Sequence, residues 1–378
     1  MNGLTIGLVT DNPITTLGGV ERFSQGLLQE FEARGARTLV CDRTALRDYG
    51  EKWFDRWGFD MSRRCWAVGV AASRLLAEVG ADIIFQNGIS GWSLRRLARG
   101  TPRVVVHHGT WRGVAPSLLQ PDAGIRNRIA NRVLTKWQLG TIEKWTAKGA
   151  ASVCVSMSAA EELRNLYDQP ATIIQNGIDL HHFSATDRRQ ARRAMDLPDS
   201  GKIVVVFTGR LEIGKGCDIL LALSERAWQN LPGVRFLFCT DSQPAGWPPN
   251  VDFRLDVPYE SMPLAYSAAD LFLFPSRYEG CSYSVIEAMA CGLAPLMSNA
   301  GHARDIKAAD PILADCILED LNLDNYWRCL VELVEDAARR REAGNAARKY
   351  VQENNSLKAM GHAYARLIQG LLAEKTVV

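Results

Sequence analysis

The sequence predicts an α/β chain built on parallel sheets in two domains, on three observations. Short apolar runs that fit buried strands recur near 4–10, 37–41, 82–86, 103–107, 151–155 and 171–175, and again near 203–207, 234–239, 251–255, 270–274 and 293–297, with helical or loop stretches between them. Strands that alternate with helices are joined by crossovers, and crossovers make parallel sheets. A charged, apolar-poor segment over 185–201 separates the two series. A chain of 378 residues exceeds one ordinary domain and suits two. The expected division is residues 1–185 and 186–356, with a terminal helix over about 357–378.

The first strand runs into Gly18, Gly19 and Glu21, opening a helix through Phe31. Paired glycines let backbone amides approach a phosphate, but they also make ordinary turns, and the Gly-x-Gly-x-x-Gly dinucleotide spacing is absent. The strand at 103–107 delivers His107 and His108, which strand alternation should point to opposite faces. A histidine at a strand end is as readily structural as functional. The loop after it, over 110–127, holds Trp111 and Arg112.

Charge is uneven along the chain. Residues 1–190 hold 24 Lys or Arg against 18 Asp or Glu, and the remainder 20 against 24. Eleven basic side chains fall within 88–148 against two acids, Asp122 and Glu143, so this stretch should carry a positive potential. Its end, 125–148, reads as a helix interleaving Arg128, Arg132, Lys136, Lys144 and Lys148 with Val133, Leu134, Trp137, Ile142 and Trp145. One reading is a solvated helix covering the sheet. The other is a surface for an anionic acceptor or an anionic membrane. No nucleic-acid recognition module accompanies the charge.

In the second series, the strand at 203–207 breaks into a turn with Gly209, Arg210, Gly214, Lys215 and Gly216. Arginine offers a planar fork and lysine a compact charge, so the pair could clamp a diphosphate, or simply be solvated. The strand at 270–274 ends at Pro275, placing Glu279 and Gly280 at the carboxyl edge of a parallel sheet, where open α/β folds bind ligands. Cys281, Ser282, Tyr283, Ser284 and Val285 then lead into a short helix containing Glu287. Ser282 and Ser284 are both candidate caps of a helix start that would attract phosphate. Ser284 with Glu287 equally fits a capping box. Residues 322–375 read as mostly helical, with Leu357, Ala363, Leu367 and Leu371 as an apolar stripe expected in the core.

Together the glycine pair, the Arg-x4-Lys turn, the Glu-x7-Glu segment, the Asn176-Gly177-Ile178-Asp179 element with Phe183, and the strand ending at His107 and His108 resemble the retaining glycosyltransferases of family 4, with the GT-B fold. The resemblance implies two Rossmann-like domains facing a central cleft: acceptor binding in 1–185, nucleotide-sugar binding in 186–356, and the last helix crossing back onto the first domain. It implies that Glu279 holds the donor sugar and Glu287 the ribose, that Ser284 and Val285 offer amides to phosphate, and that His108 sits beside the sugar. Catalytic weight is expected on Glu279, His108, Arg210 and Lys215. Donor binding is expected to add Gly18, Gly19, Cys281, Ser282, Tyr283, Ser284, Val285 and Glu287. Trp111, Arg112 and Asn176 are the acceptor-side candidates.

The expected reaction moves a hexosyl unit from a UDP- or GDP-sugar to an acceptor hydroxyl, anionic or lipid-linked, with retention by front-side displacement. No Asp-x-Asp occurs, so no metal and no other cofactor is expected, and the two cations stand in its place. Two departures leave the hexose and base open. Glu279-Gly280-Cys281-Ser282 stands where relatives often have Glu-Gly-Phe-Gly, and Thr240 to Gly246 replaces a common glycine-rich turn. Glycosylation of a small specialised metabolite, a nucleotide-sugar epimerase, and a non-catalytic nucleotide-sugar-binding partner are the alternatives. An epimerase would free no diphosphate, and a binding partner would turn over no acceptor.

The first residues enter a strand without a basic leader region, and no stretch approaches 18 apolar residues, so a cytoplasmic protein is expected, at the inner face of the membrane if the basic stretch docks there. Nine scattered cysteines without Cys-x-x-Cys spacing read as reduced core residues.

Overall fold

The computed structural model describes residues 1–16, 18–44, 61–98, 100–118, 132–197 and 201–376. The chain forms two compact units, Met1–Gly177 with Leu357–Val378, and Ile178–Ser356. The first holds β1 (Thr5–Val9), β2 (Arg37–Cys41), β3 (Ile83–Asn87), β4 (Arg103–His107), β5 (Ala151–Cys154) and β6 (Thr172–Ile173) in one sheet of order β2-β1-β3-β4-β5-β6. The second holds β7 (Ile203–Thr208), β8 (Val234–Thr240), β9 (Val251–Leu255), β10 (Leu271–Phe274), β11 (Ala294–Ser298) and β12 (Ile317–Leu318), in the order β12-β11-β10-β7-β8-β9. Every strand pairing among the described residues is parallel.

Helices cover both faces of such sheets, so central strands are apolar throughout rather than alternating. Val204 to Phe207 of β7 and all of β10 are buried accordingly. Each sheet changes direction once, between β1 and β3 in the first unit and between β7 and β10 in the second. Connections leave in opposite directions at such a point, and a crevice opens beyond the carboxyl ends of the strands.

Two sequence expectations, the end of the first unit and the stripe of the terminal helix, differ from the structure. The first unit ends at Gly177, before the expected residue 185. Ile178 and Phe183 are buried in the core of the second unit, where Phe183 meets the rings of Tyr259 and Tyr266, so the Asn-Gly-Ile-Asp element changes unit midway. The terminal helix Leu357–Thr376 belongs to the first unit, but its buried stripe is Met360, Tyr364 and Ile368. Leu357, Ala363 and Leu367 flank that stripe, half-buried. Tyr364 lies against Phe23, Phe31 and Phe85, and this aromatic cluster fixes the helix rotation. The expected helix over 125–148 starts outside the described residues. From Arg132 to Leu139 it is π-helical, then α-helical over Gly140–Ala147.

All nine cysteines are free, and all but Cys217 are buried. Burial pushes the thiols of Cys41, Cys154, Cys239, Cys291 and Cys316 up to about 12, which keeps them protonated and inert.

Candidate functional site

The direction change of the second sheet gathers most of the predicted donor residues. β7 ends at Thr208 and passes through Gly209 (φ 142°) into the tight turn Ile213–Lys215. Gly216 follows with φ 76°, and a Cβ there would lie 2.1 Å from the Pro275 carbonyl oxygen, so only glycine fits. Pro275 closes β10 next door, and this backbone contact sets the two loops side by side. Lys215 Nζ donates to Glu279 Oε1 at 2.6 Å and lies 5.6 Å from the centre of the Phe274 ring. Ser276 Oγ reaches the same Glu279 oxygen at 2.6 Å. With both bonds on Oε1, the second carboxylate oxygen is left for another partner.

Arg210 stands apart. Its side chain is 64% exposed and pairs with Glu212 at 2.9 Å, an exposed contact worth little to stability. The guanidinium is therefore easily redirected.

The helix Tyr283–Ala290 begins at Ser282 without a side-chain cap, and its first internal bond is Ile286 N–H to the Ser282 carbonyl. The capping-box alternative fails, because Ser284 lies inside the helix and Glu287 turns inward. Glu287 is buried and its Oε2 accepts from the Tyr266 hydroxyl at 2.9 Å, which lies 3.1 Å from Thr208 Oγ1. Burial, then the Glu287 charge, pushes the Tyr266 hydroxyl well above its ordinary value, so it remains a donor. An uncapped helix start leaves backbone N–H groups oriented for an anion. Cys281 is buried beside that turn. Ser276, Tyr266 and Thr208 escaped the sequence reading. Only Ser276, three residues before Glu279, had a position that could have signalled its role.

In the first unit, the carboxyl edge holds a looser set. Gly18 precedes the helix Gly19–Glu32 with φ 177°, extended backbone open to any residue. A Cβ on it would meet the Glu21 carboxylate at 2.1 Å, a side chain that can move. His108 follows β4 on the side of that helix. Its Nε2 lies 3.2 Å from Asn87 Oδ1, and its ring meets Phe23 edge-on at 4.8 Å. Burial, then neighbouring His107, lowers its pKa to about 3, so it is a neutral imidazole at working pH. His107 points to the other face, fully buried, with Nδ1 3.6 Å from Glu143 Oε1. The alternation expected for the pair is present, and His108 is the one on the side of the glycine pair.

Two of the acceptor-side candidates, Trp111 and Arg112, share the Glu143–Tyr167 pair, in which the Tyr167 hydroxyl donates to Glu143 Oε2 at 2.7 Å. Trp111 donates its backbone N–H to Glu143 Oε2 at 3.0 Å, in a turn that Thr110 caps. Arg112 lies over the Tyr167 ring at 5.2 Å. Asn176 is buried one residue before the first unit's segment ends at Gly177. The second half of the loop over 110–127 lies outside the described residues, as do Arg99, Arg126 and Arg128. Of the basic stretch, Arg95 and Arg96 lie over Trp145 at 4.5 and 5.5 Å, while Val133 and Trp137 are exposed.

A cavity of about 270 Å³ lies at the opposite, amino-terminal edge of the second sheet, lined by Asp270, Leu293 and Arg340 among others. It is remote from the Lys215–Glu279 pair. Among the described residues no cluster of three or more His, Cys, Asp or Glu could hold a metal, and no helix is long and apolar enough to cross a membrane.

Comparison with known proteins matches residues 17–182 to the model described as Glycosyltransferase Family 4 and residues 188–350 to that of Glycosyl transferases group 1. A D-inositol 3-phosphate glycosyltransferase of Segniliparus rotundus is 30% identical over 193 residues, 47% of this chain and 42% of the relative. A GDP-mannose-dependent monoacylated alpha-(1-6)-phosphatidylinositol monomannoside mannosyltransferase of Corynebacterium glutamicum is 24% identical over 214 residues, 52% of this chain and 55% of the relative. The matches span about half the length of these curated relatives. A sucrose-phosphate synthase from Thermosynechococcus elongatus superposes with a TM-score of 0.79 at 20% identity, over 98% of this chain and all of the other. With two family models matching consecutive halves and a parallel six-stranded sheet in each unit, the chain belongs to the group 1, family 4 glycosyltransferases of the GT-B fold.

Proposed function

We propose that the protein transfers a hexosyl unit from a UDP- or GDP-sugar to a hydroxyl of an anionic acceptor, phosphorylated or lipid-linked, with retention and without a metal. The observation that carries this is the Lys215–Glu279 pair, held by Ser276 beside the glycine-rich turn at the carboxyl ends of β7 and β10. Departure of a nucleoside diphosphate develops negative charge. Lys215, the redirected Arg210 and the backbone N–H groups of Ser284 and Val285 supply positive potential where that charge grows, the work a metal would otherwise do. Cys281, Ser282 and Tyr283 shape the turn around the phosphates, and Glu287 takes the ribose hydroxyls.

Glu279 positions the donor sugar through Oε2 while Lys215 and Ser276 orient it. It is not a nucleophile. In front-side displacement, the bond from anomeric carbon to phosphate oxygen breaks as the acceptor oxygen bonds on the same face, and the leaving phosphate takes the acceptor's proton. His108, neutral at working pH, offers a hydrogen bond to a sugar hydroxyl, with the amides of Gly18 and Gly19 nearby in its unit. Trp111, Arg112 and Asn176 serve the acceptor.

Two features favour an anionic acceptor. Residues 88–148 carry a strong basic excess, and both relatives named above are called after phosphorylated inositol compounds. Exposed Val133 and Trp137 beside that charge fit peripheral contact with an anionic membrane, at its cytoplasmic face. Synthesis of glycolipid or envelope polysaccharide is the corresponding process.

The test is the thermal midpoint with UDP-, GDP-, ADP- and dTDP-sugars, on wild type and on Arg210→Ala, since a ligand that binds only the folded state raises it by mass action. One sugar nucleotide should stabilise the wild type alone and then release its diphosphate when an inositol phosphate is added. A new nucleotide sugar without diphosphate would instead identify an epimerase.

A further inference from the structure

The two loops that carry Lys215 and Glu279 are tied together by more than those two residues. Arg277 lies between Pro275 and Glu279. Its guanidinium takes both carboxylate oxygens of Asp218, each at 2.8 Å, in a two-pronged pair. Nη1 also donates to the Ile213 carbonyl at 2.5 Å, and the Arg277 backbone N–H donates to the Gly214 carbonyl at 2.8 Å. Ser276 Oγ approaches the same Gly214 oxygen at 3.1 Å. Asp218 stands in the first turn of the helix Cys217–Asn230, just past Lys215 and Gly216. One residue thus spans the start of that helix, the tight turn and the loop leaving β10.

Planar two-pronged pairing constrains orientation as well as distance, which a lysine could not do. Burial would raise the Asp218 carboxyl, but the hydrogen bonds and charge of Arg277 outweigh it and hold the group below its ordinary value. The hydrogen bond to Asp218 in turn raises Arg277. Both side chains keep some solvent access, so the pair contributes modestly to global stability. Its effect is local, on the separation of Lys215 and Glu279.

We propose that Arg277 and Asp218 are positioning residues for the donor site, a latch that fixes the lysine-bearing turn against the glutamate-bearing loop and so sets affinity for the sugar-diphosphate part of the donor. This rests on the donor reading given above. Neither residue touches the substrate; each acts through Lys215 and Glu279. Misplacing a clamp by about 1 Å costs on the order of 10²-fold in rate.

The experiment compares Arg277→Met, Asp218→Asn and the exchanged pair Arg277→Asp with Asp218→Arg, using UDP and GDP as binding probes and the best sugar nucleotide as substrate. Each single variant should lower donor kcat/KM by about 10- to 100-fold, with acceptor KM unchanged. The exchange should recover about tenfold or more of that loss, and the single variants should keep a near-normal thermal midpoint, whereas a purely structural defect would lower it by more than a half-exposed pair contributes. Amide exchange in the peptide covering 209–217 should rise in the single variants even without nucleotide. Asp218→Asn nearly preserves shape, so it remains informative if the exchanged pair does not fold. Single variants within about twofold of wild type, or unchanged amide exchange, would overturn the latch. If wild-type protein bound neither UDP nor GDP and turned over no sugar nucleotide, the donor reading itself would fall, and the latch with it.

Discussion

The carboxyl edges of the two sheets are built from the same architecture yet differ in how their polar groups are held. In the second unit, Lys215, Glu279, Ser276, Arg277 and Asp218 form a connected set across two loops, and Glu287 is fixed from below by Tyr266 and Thr208. In the first, the groups fall into two smaller sets: His108 with Asn87 and Phe23, and Trp111 and Arg112 on the Glu143–Tyr167 pair, whose own hydrogen bond is 2.7 Å. On the proposed reading, the second edge would meet the donor diphosphate and the first the acceptor. A diphosphate presents the same charged geometry every time and rewards preorganised groups. An acceptor differs from one family member to the next, and loops on a rigid scaffold accommodate it.

Breaking the connected set should have the largest effect. Glu279→Ala should cost roughly 10²-fold or more in turnover, the loss expected when a substrate-orienting group is removed. Steady-state kinetics with the stabilising sugar nucleotide decide this, and near-normal activity would remove Glu279 from its role. Arg210→Ala, on the exposed side chain, should cost about 10²-fold in kcat, as loss of one charge-stabilising donor does. It should leave stability unchanged, because the ion pair it gives up is with exposed Glu212. A variant that unfolds at lower temperature would mean that Arg210 is structural.

Tyr266→Phe tests the support under Glu287. Removing one partner of a buried hydrogen bond costs on the order of 1–3 kcal/mol. Urea denaturation should show that loss, and the nucleotide should bind more weakly through the displaced carboxylate. Full stability with intact binding would make the hydroxyl incidental.

The smallest expected effect sharpens the contrast from the other unit. His108 is lowered to about 3 and His302, just past the end of β11, to about 4, both mainly by burial. Between those values and the ordinary histidine value of 6.5, the unfolded chain binds more protons than the folded one. Stability is then complete above about pH 6.5 and falls as the pH drops toward about 4 and 3. His108→Gln should flatten part of that fall in thermal midpoint. The wild-type rate should show no inflection from His108 between about pH 5 and 8, and a step near 6.5 that vanishes in His108→Gln would contradict the neutral imidazole.

Much of this is legible in the sequence because it rests on local chemistry. Apolar runs rich in valine, leucine and phenylalanine need no distant partner to announce a buried strand, as Ile203 to Phe207 and Leu271 to Phe274 illustrate. Proline and glycine mark where such strands stop, and Pro275 and Gly216 do so at the site. β12, two residues long, offers no apolar run to notice. The stripe of the terminal helix is misread from spacing because a tyrosine there does not announce itself as core. Tyr364 is buried only by its contacts with Phe23, Phe31 and Phe85, distant in sequence.

By itself, then, the sequence determined the two parallel sheets, the loops that leave their carboxyl edges with Lys215 and Glu279 on them, and the short helix after Glu279 that carries Glu287. Tertiary structure alone decided which groups hold them. Arg277 finds Asp218, Tyr266 finds Glu287, and Ile178 joins the second core, all across separations that no spacing rule reaches. The physical reason is that strand and turn formation depend on neighbours along the chain, whereas the orientation of a buried polar side chain depends on whichever partner packing delivers to it.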